Sequence, residues 1–186
     1  AHLQLMHKQR SAAVKLIEKA WALNPHPELA DVWALLIPEK KSKDPAVRLK
    51  WFERLRDIRP DNPESQLALA RAAIDEKLWG EARAALDKAE AVHPSARVYH
   101  MRAEIEEQSA RNTEEAMLWR ARAADAPPER VWTCTATGRI YQSWSAIAEP
   151  YGSFNTIRWS YPGEFGPVTG TGPLGRDSAG AEWLTG

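Results

Sequence analysis

The fold is decided by the stretch Pro63-Glu64-Ser65-Gln66-Leu67-Ala68-Leu69-Ala70-Arg71-Ala72-Ala73-Ile74-Asp75-Glu76-Lys77-Leu78-Trp79-Gly80-Glu81-Ala82-Arg83-Ala84-Ala85-Leu86-Asp87-Lys88-Ala89-Glu90-Ala91-Val92-His93-Pro94. Its second half sets Ala82, Leu86 and Ala89 at i, i+4 and i+7, one stripe of a helix with two small residues flanking a large one. Small side chains in such a stripe let a neighbouring helix approach closely. The first half predicts that neighbour, a helix supplying Leu69, Ala70 and Ala73. Leu78-Trp79-Gly80 predicts the break between them, with Glu81 starting the second helix. Working outward, the same offsets recur at Ala13, Ile17 and Ala20. Prolines follow helix-like stretches at Pro25, Pro60, Pro94 and Pro127, spaced 35, 34 and 33 residues apart. A self-similar period of this length predicts an all-α helical solenoid, whose units bury their apolar faces on one another.

The spacing is that of a tetratricopeptide repeat, and 63–94 resembles that family at Ala70, Ala82, Ala89 and Pro94. In 97–127 Ala103, Ala116 and Ala123 are in place, with a turn one residue longer between the helices. In 27–60 the first helix is short and Ile37–Pro45 makes a long charged loop. There Arg48, Phe52 and Leu55 replace the Ala-Leu-Ala stripe. Segment 1–25 holds a second helix with at most the end of its partner, which predicts an open N-terminal end exposing Leu3, Leu5 and Met6. Inner helices of such a stack line a concave face that recognises a protein partner. On 63–94 that face is Glu64, Leu67, Arg71, Ile74 and Asp75; on the next repeat it is Arg97, His100, Glu104 and Glu107.

Composition divides the chain near residue 130. Nine of the ten glycines and seven of the eight threonines lie in 130–186, which has no lysine. Residues 1–129 are rich in good helix formers; beyond Ala126-Pro127-Pro128, turn formers and β-favouring residues take over. The division predicts helical repeats over 1–129, a small β unit over 130–160 and a Gly/Pro-rich tail over 161–186, anchored by Phe165, Leu174 and Trp183. In the β unit, Cys134-Thr135-Ala136-Thr137-Gly138 and Ala148-Glu149-Pro150-Tyr151-Gly152 are two turns ending in glycine. The plan resembles a rubredoxin or zinc ribbon, in which two C-x-x-C-G turns supply four thiolates. Only Cys134 remains; Thr137, Ala148 and Tyr151 hold the other three positions. The expectation is a degenerate, metal-free unit with Trp144, Tyr151 and Phe154 packed where a metal would join the turns. A unit of this size without metal is also expected to dock on the last repeat through Trp132 or Trp159.

The charges balance, 25 Lys plus Arg against 25 Asp plus Glu, which argues against binding nucleic acid or a membrane surface through a basic patch. One cysteine fits a reducing compartment. There is no apolar run of spanning length and no signal peptide, and a first residue other than Met fits a fragment of a longer chain. No paired carboxylates, Ser/His/Asp order, phosphate loop or metal-ligand cluster appears, so no catalytic residue, metal or cofactor is expected. The order Leu-Trp-Gly-Glu-Ala-Arg (78–83), Pro-Ser-Ala-Arg-Val-Tyr-His-Met-Arg-Ala-Glu-Ile-Glu-Glu (94–107), Ala-Pro-Pro (126–128) and a tryptophan-bearing tail resembles the C-terminal half of HemY-type proteins. Those are proteobacterial inner-membrane tetratricopeptide proteins associated with haem biosynthesis. The resemblance implies an N-terminal membrane anchor outside this sequence, a soluble repeat region on the cytoplasmic face and a scaffold for a haem-pathway partner. Two alternatives are a tetrapyrrole binder using His93, His100 or Met101, and a regulator of envelope biosynthesis, where similar repeats precede an intact rubredoxin-like unit. The ribbon reading makes one prediction: elemental analysis of the purified protein finds no stoichiometric zinc or iron. One metal per chain on Cys134 would overturn it.

Overall fold

A computed structural model describes the backbone of residues 2–38 and 44–165, with side chains from Gln9 onward. The expectations for Leu3, Leu5, Met6, Leu174 and Trp183, and for the middle of the charged loop, lie outside the described residues. The chain forms two compact units, Ala1–Pro127 and Pro128–Gly186, each described by itself.

The first unit is helical: α1 (His2–Leu23), α2 (Pro27–Leu35), α3 (Pro45–Ile58), α4 (Pro63–Asp75), α5 (Trp79–Val92), α6 (Ala96–Ile105) and α7 (Thr113–Ala124). Local chemistry sets the helix starts. Asp44 and Asn62 accept from the N–H two residues on, ahead of Pro45 and Pro63, which need no donor at the first helical position. Ser95 and Asn112 accept from the third N–H of α6 and α7. The turn after α4 falls two residues earlier than the glycine predicts. Lys77 takes the left-handed conformation (φ 59°) and the Leu78 N–H reaches the Ala73 carbonyl at 2.8 Å, closing α4 as a Schellman-type cap. Gly80 therefore lies inside α5, with open space around the position its Cβ would occupy. The extra residue between α6 and α7 is absorbed by a π-helical turn, Glu106–Ala110, which ends at left-handed Arg111 (φ 51°).

The predicted small-residue stripe of 63–94 is buried. Ala70, Ala73, Ala82, Leu86 and Ala89 have no exposed surface and share one core with Trp21, Trp33, Leu55 and Val98. In the 27–60 pair, where Arg48, Phe52 and Leu55 replace the Ala-Leu-Ala stripe, two tryptophans join α2 to α3. Trp33 and Trp51 stack at 4.5 Å, and each indole N–H donates to the other residue's backbone carbonyl, at 3.0 and 2.9 Å. The Trp21 indole reaches across to Ser65 Oγ at 3.1 Å. These bonds settle the polar ends of large buried rings.

The second unit holds a three-stranded antiparallel sheet in the order β2 (Ile140–Tyr141), β1 (Val131–Cys134), β5 (Ile157–Ser160), and a hairpin of β3 (Ile147–Ala148) and β4 (Ser153–Phe154). Its two turns are closed alike. Gly138 N–H donates to the Cys134 carbonyl at 2.8 Å and Gly152 N–H to the Ala148 carbonyl at 3.0 Å, both glycines lying at positive φ. The expected packing of Trp144, Tyr151 and Phe154 is not found: all three are exposed. Cys134, Ala148 and Ile157 form the core instead, covered by Trp132, Ala136 and Tyr141. The Tyr141 hydroxyl donates to the Glu149 carbonyl at 2.8 Å, so a side chain from the first sheet braces the second turn. Trp132 and Trp159 face each other across β1 and β5 at 5.1 Å.

Ala82 tests the repeat packing. Ala82→Phe forces a ring into a contact with no exposed surface, and costs about 1–3 kcal/mol of stability. A melting temperature unchanged from wild type would show that the helix phase is misassigned.

Candidate functional site

Helices α2, α4 and α6 are the inner helices of three successive pairs, and with α3 they border an open groove of about 270 Å³. Alanines set its floor: Ala30 and Ala34 from α2, Ala68 and Ala72 from α4, each pair four residues apart. Phe52, Leu67 and Met101 give apolar walls. Charges of both signs line the rim, with Arg48, Arg71 and Arg97 against Asp31, Glu64 and Asp75.

The arginines are held in place by carboxylates of the protein itself. Arg71 on α4 makes a two-pronged pair with Glu104 on α6, at 2.9 and 2.8 Å, and Arg97 on α6 makes another with Glu64 on α4. Both pairs join residues 33 positions apart, so α4 and α6 run parallel, one repeat out of step. The order of charges is reversed between them: α4 carries Glu then Arg seven residues on, and α6 carries Arg then Glu. Either helix beside a copy of itself would set like charges together. The hydrogen bond to Glu104 leads in raising the Arg71 guanidinium above its ordinary pKa, so it stays charged at any working pH. Arg48 pairs with Glu76 at 2.7 Å, tying α3 to the end of α4. These pairs are partly exposed, and each contributes at most about 1 kcal/mol. Their two-pronged geometry fixes the side chains more than it stabilises the fold.

Of the nine concave-face residues named from sequence, Glu64, Leu67, Arg71, Asp75 and Arg97 line the groove, and Glu104 borders it through Arg71. Three are placed elsewhere. Ile74 is in the core, because α4 is packed on nearly every side. His100 is exposed and does not line the groove. Glu107 lies in the π-helical turn and pairs with Arg120 of α7 at 2.6 and 2.8 Å. Sequence reading missed the contribution of α2 and α3. Its signal was the four-residue alanine spacing at Ala30/Ala34, which repeats at Ala68/Ala72.

His26 stands just before α2, and its Nδ1 accepts from the Glu28 N–H at 3.2 Å. Burial lowers its pKa from 6.5, outweighing the opposite pull of Glu28 and Glu64. In the second unit Cys134 is fully buried and its Sγ donates to Thr156 Oγ1 at 3.3 Å. Burial works against ionising this thiol. Hydrogen bonds with Thr137, Thr156 and the backbone of Ala136 and Thr137 outweigh that effect and bring its pKa below the ordinary value. With no exposed surface it is a structural thiol. Among the described residues no group of three or more His, Cys, Asp or Glu could hold a metal ion. None of their helices is long and apolar enough to cross a membrane.

The tetratricopeptide-repeat family model matches residues 49–105, a stretch that takes in α4, α5 and α6 with most of α3. Among curated proteins, the probable magnetosome protein Mms48 of Magnetospirillum gryphiswaldense is 31% identical over 156 residues. That alignment takes in 82% of this chain and 33% of the relative, so the chain spans about a third of that protein's length. No solved structure matches the chain significantly.

The buried imidazole gives a pH prediction. Because its folded-state pKa is depressed, the unfolded chain binds the extra proton first. Stability is therefore lost as pH falls below about 6.5, until the folded-state pKa is passed. His26→Asn keeps an acceptor at the helix start without the titration. Between pH 7.5 and 5.5 the melting temperature of the wild type should fall more steeply than that of His26→Asn. Parallel curves would remove His26 from the account.

Proposed function

We propose that this chain is a non-catalytic scaffold that takes a segment of a protein partner into the groove bordered by α2, α4 and α6. Tetratricopeptide repeats generally mediate protein–protein contact. The observation that carries the reading here is the groove itself: an alanine floor that admits a backbone closely, apolar walls at Phe52, Leu67 and Met101, and arginines already ordered by paired carboxylates. A segment entering it meets charges whose positions are set before binding, which lowers the ordering cost of recognition. Apolar side chains of the partner would fill the walls, and its polar groups would meet the mixed rim.

The HemY-type resemblance extends this proposal to a haem-pathway partner and to attachment at the inner membrane through chain outside residues 1–186; both rest on that resemblance alone. The relative named as a probable magnetosome protein supports a repeat scaffold without naming that pathway. For the second unit, the proposal is a ribbon that has lost its metal. Its support is the pair of turns closed by equivalent bonds to Gly138 and Gly152, with Cys134 and Ala148 buried at equivalent first positions.

Two variants separate recognition from folding. Arg71→Glu alone breaks an inter-helix pair and weakens both stability, by about 1 kcal/mol, and partner binding. Exchanging the charges, Arg71→Glu with Glu104→Arg, restores the pair and the melting temperature, while partner binding stays weakened at least tenfold. Lys88→Glu on the exposed face of α5 changes neither. Full binding by the exchanged double variant would take the partner out of the groove.

A further inference from the structure

The outer helices supply an internal comparison. At an offset of 69 residues, two repeats, α5 (Trp79–Val92) coincides with residues 10–23, the last fourteen residues of α1. Ala82, Ala85, Leu86 and Ala89 correspond to Ala13, Leu16, Ile17 and Ala20. On α5 these four are 0, 3, 0 and 0% exposed. Of the four on α1 only Ile17 is buried; Ala13 and Ala20 are partly buried, and Leu16 is 66% exposed. Helix α7 tells which neighbour makes the difference. It packs on its own inner helix, α6, and buries Ala116 and Ala123, the counterparts of Ala82 and Ala89. Helix α1 packs on the following pair, α2 and α3, and among the described residues has no inner helix of its own.

A second observation concerns length. Helices α3 and α5 have 14 residues and α1 has 22. The surplus is all at the N-terminal side. In the same register, Ala1 stands where α4 has Ala70, and His7-Lys8-Gln9 stand where Glu76-Lys77-Leu78 make the turn between α4 and α5.

We propose that the strip Ala13–Leu16–Ala20 of α1 is the seat of an inner helix of the same repeat, carried by chain N-terminal to residue 1, and that residues 1–6 are the end of that helix. The occupant is a helix of the α4 kind, with small residues facing the strip, because Ala13 and Ala20 leave the same close-approach gaps that Ala82 and Ala89 leave for α4. With that helix in place the chain turns at His7–Gln9, Lys8 taking the left-handed conformation that Lys77 takes after α4. Without it, nothing opposes continuing the helix through these residues, and α1 runs unbroken from His2. Lys15 and Lys19, exposed beside Leu16, argue against a second copy as the occupant, since two α1 helices face to face would bring like charges together.

The test extends the full chain with residues 61–69 copied in front of Ala1, which completes an inner helix in register. The extended protein should melt several degrees higher than the unextended one. Leu16→Glu should leave the unextended chain within about one degree, since that side chain is exposed, and should lower the extended chain by several degrees. Lys8→Gly should change sign between the two: destabilising in the middle of the unextended α1, stabilising at the left-handed turn of the extended chain. No gain on extension, or Lys8→Gly destabilising both forms alike, overturns the proposal. So does sedimentation of the unextended chain as a dimer that Leu16→Glu dissolves, which would assign the strip to a second copy.

Discussion

The repeat unit depends on how closely α4 and α5 can approach. Five alanines from the two helices, at positions 70, 73, 82, 85 and 89, are buried, with Leu86 filling what they leave. A larger side chain at any of them has nowhere to go, because a helix pair is a stiff object and the next pair packs on its far side. The distance set here passes outward: α6 is placed by α5, and the groove width follows from where α4 and α6 end up. Where the Ala-Leu-Ala stripe is replaced, in α3, the chain solves the spacing differently. Two stacked indoles hold the helices at ring thickness and satisfy each other's neighbouring carbonyls.

On this frame the ionic pairs act as register marks. Glu64–Arg97 and Arg71–Glu104 join equivalent positions of successive inner helices with the charges reversed. A slip of α6 by one turn would part both pairs at once. Their net contribution to stability is small, as for any partly exposed pair, but their effect on specificity is larger. They also leave the groove with ordered guanidinium groups and near balance of charge. Recognition there therefore rests on shape and apolar contact at Phe52, Leu67 and Met101, with charge as a filter.

The small second unit is built on two turns closed in the same way. Each ends in a glycine at positive φ, and their first residues, Cys134 and Ala148, meet in a core of three. Tyr141, reaching the second turn from the first sheet, connects the two halves of the unit.

The helical repeat, the small-residue stripe of 63–94 and the change of composition near residue 130 were legible in the sequence. They depend on local propensity and on spacing along one helix face, which the order of residues states directly. Five of the nine concave-face residues were legible for the same reason, since they share a face of α4 and α6. The tertiary structure alone decided the rest. Ile74 went to the core because a third helix covers α4, and Glu107 went to Arg120 because a π-helical turn rotated it away. Trp144, Tyr151 and Phe154 are exposed, and the small core is made by Cys134, Ala148 and Ile157 under Trp132, Ala136 and Tyr141. The share of α2 and α3 in the groove, and the pairing of arginines that look free in the sequence, come from helices meeting across 20 to 40 residues of chain. No single-helix periodicity encodes which side chains face one another across such a gap. That is fixed only when the helices pack and their volumes and charges must be reconciled together.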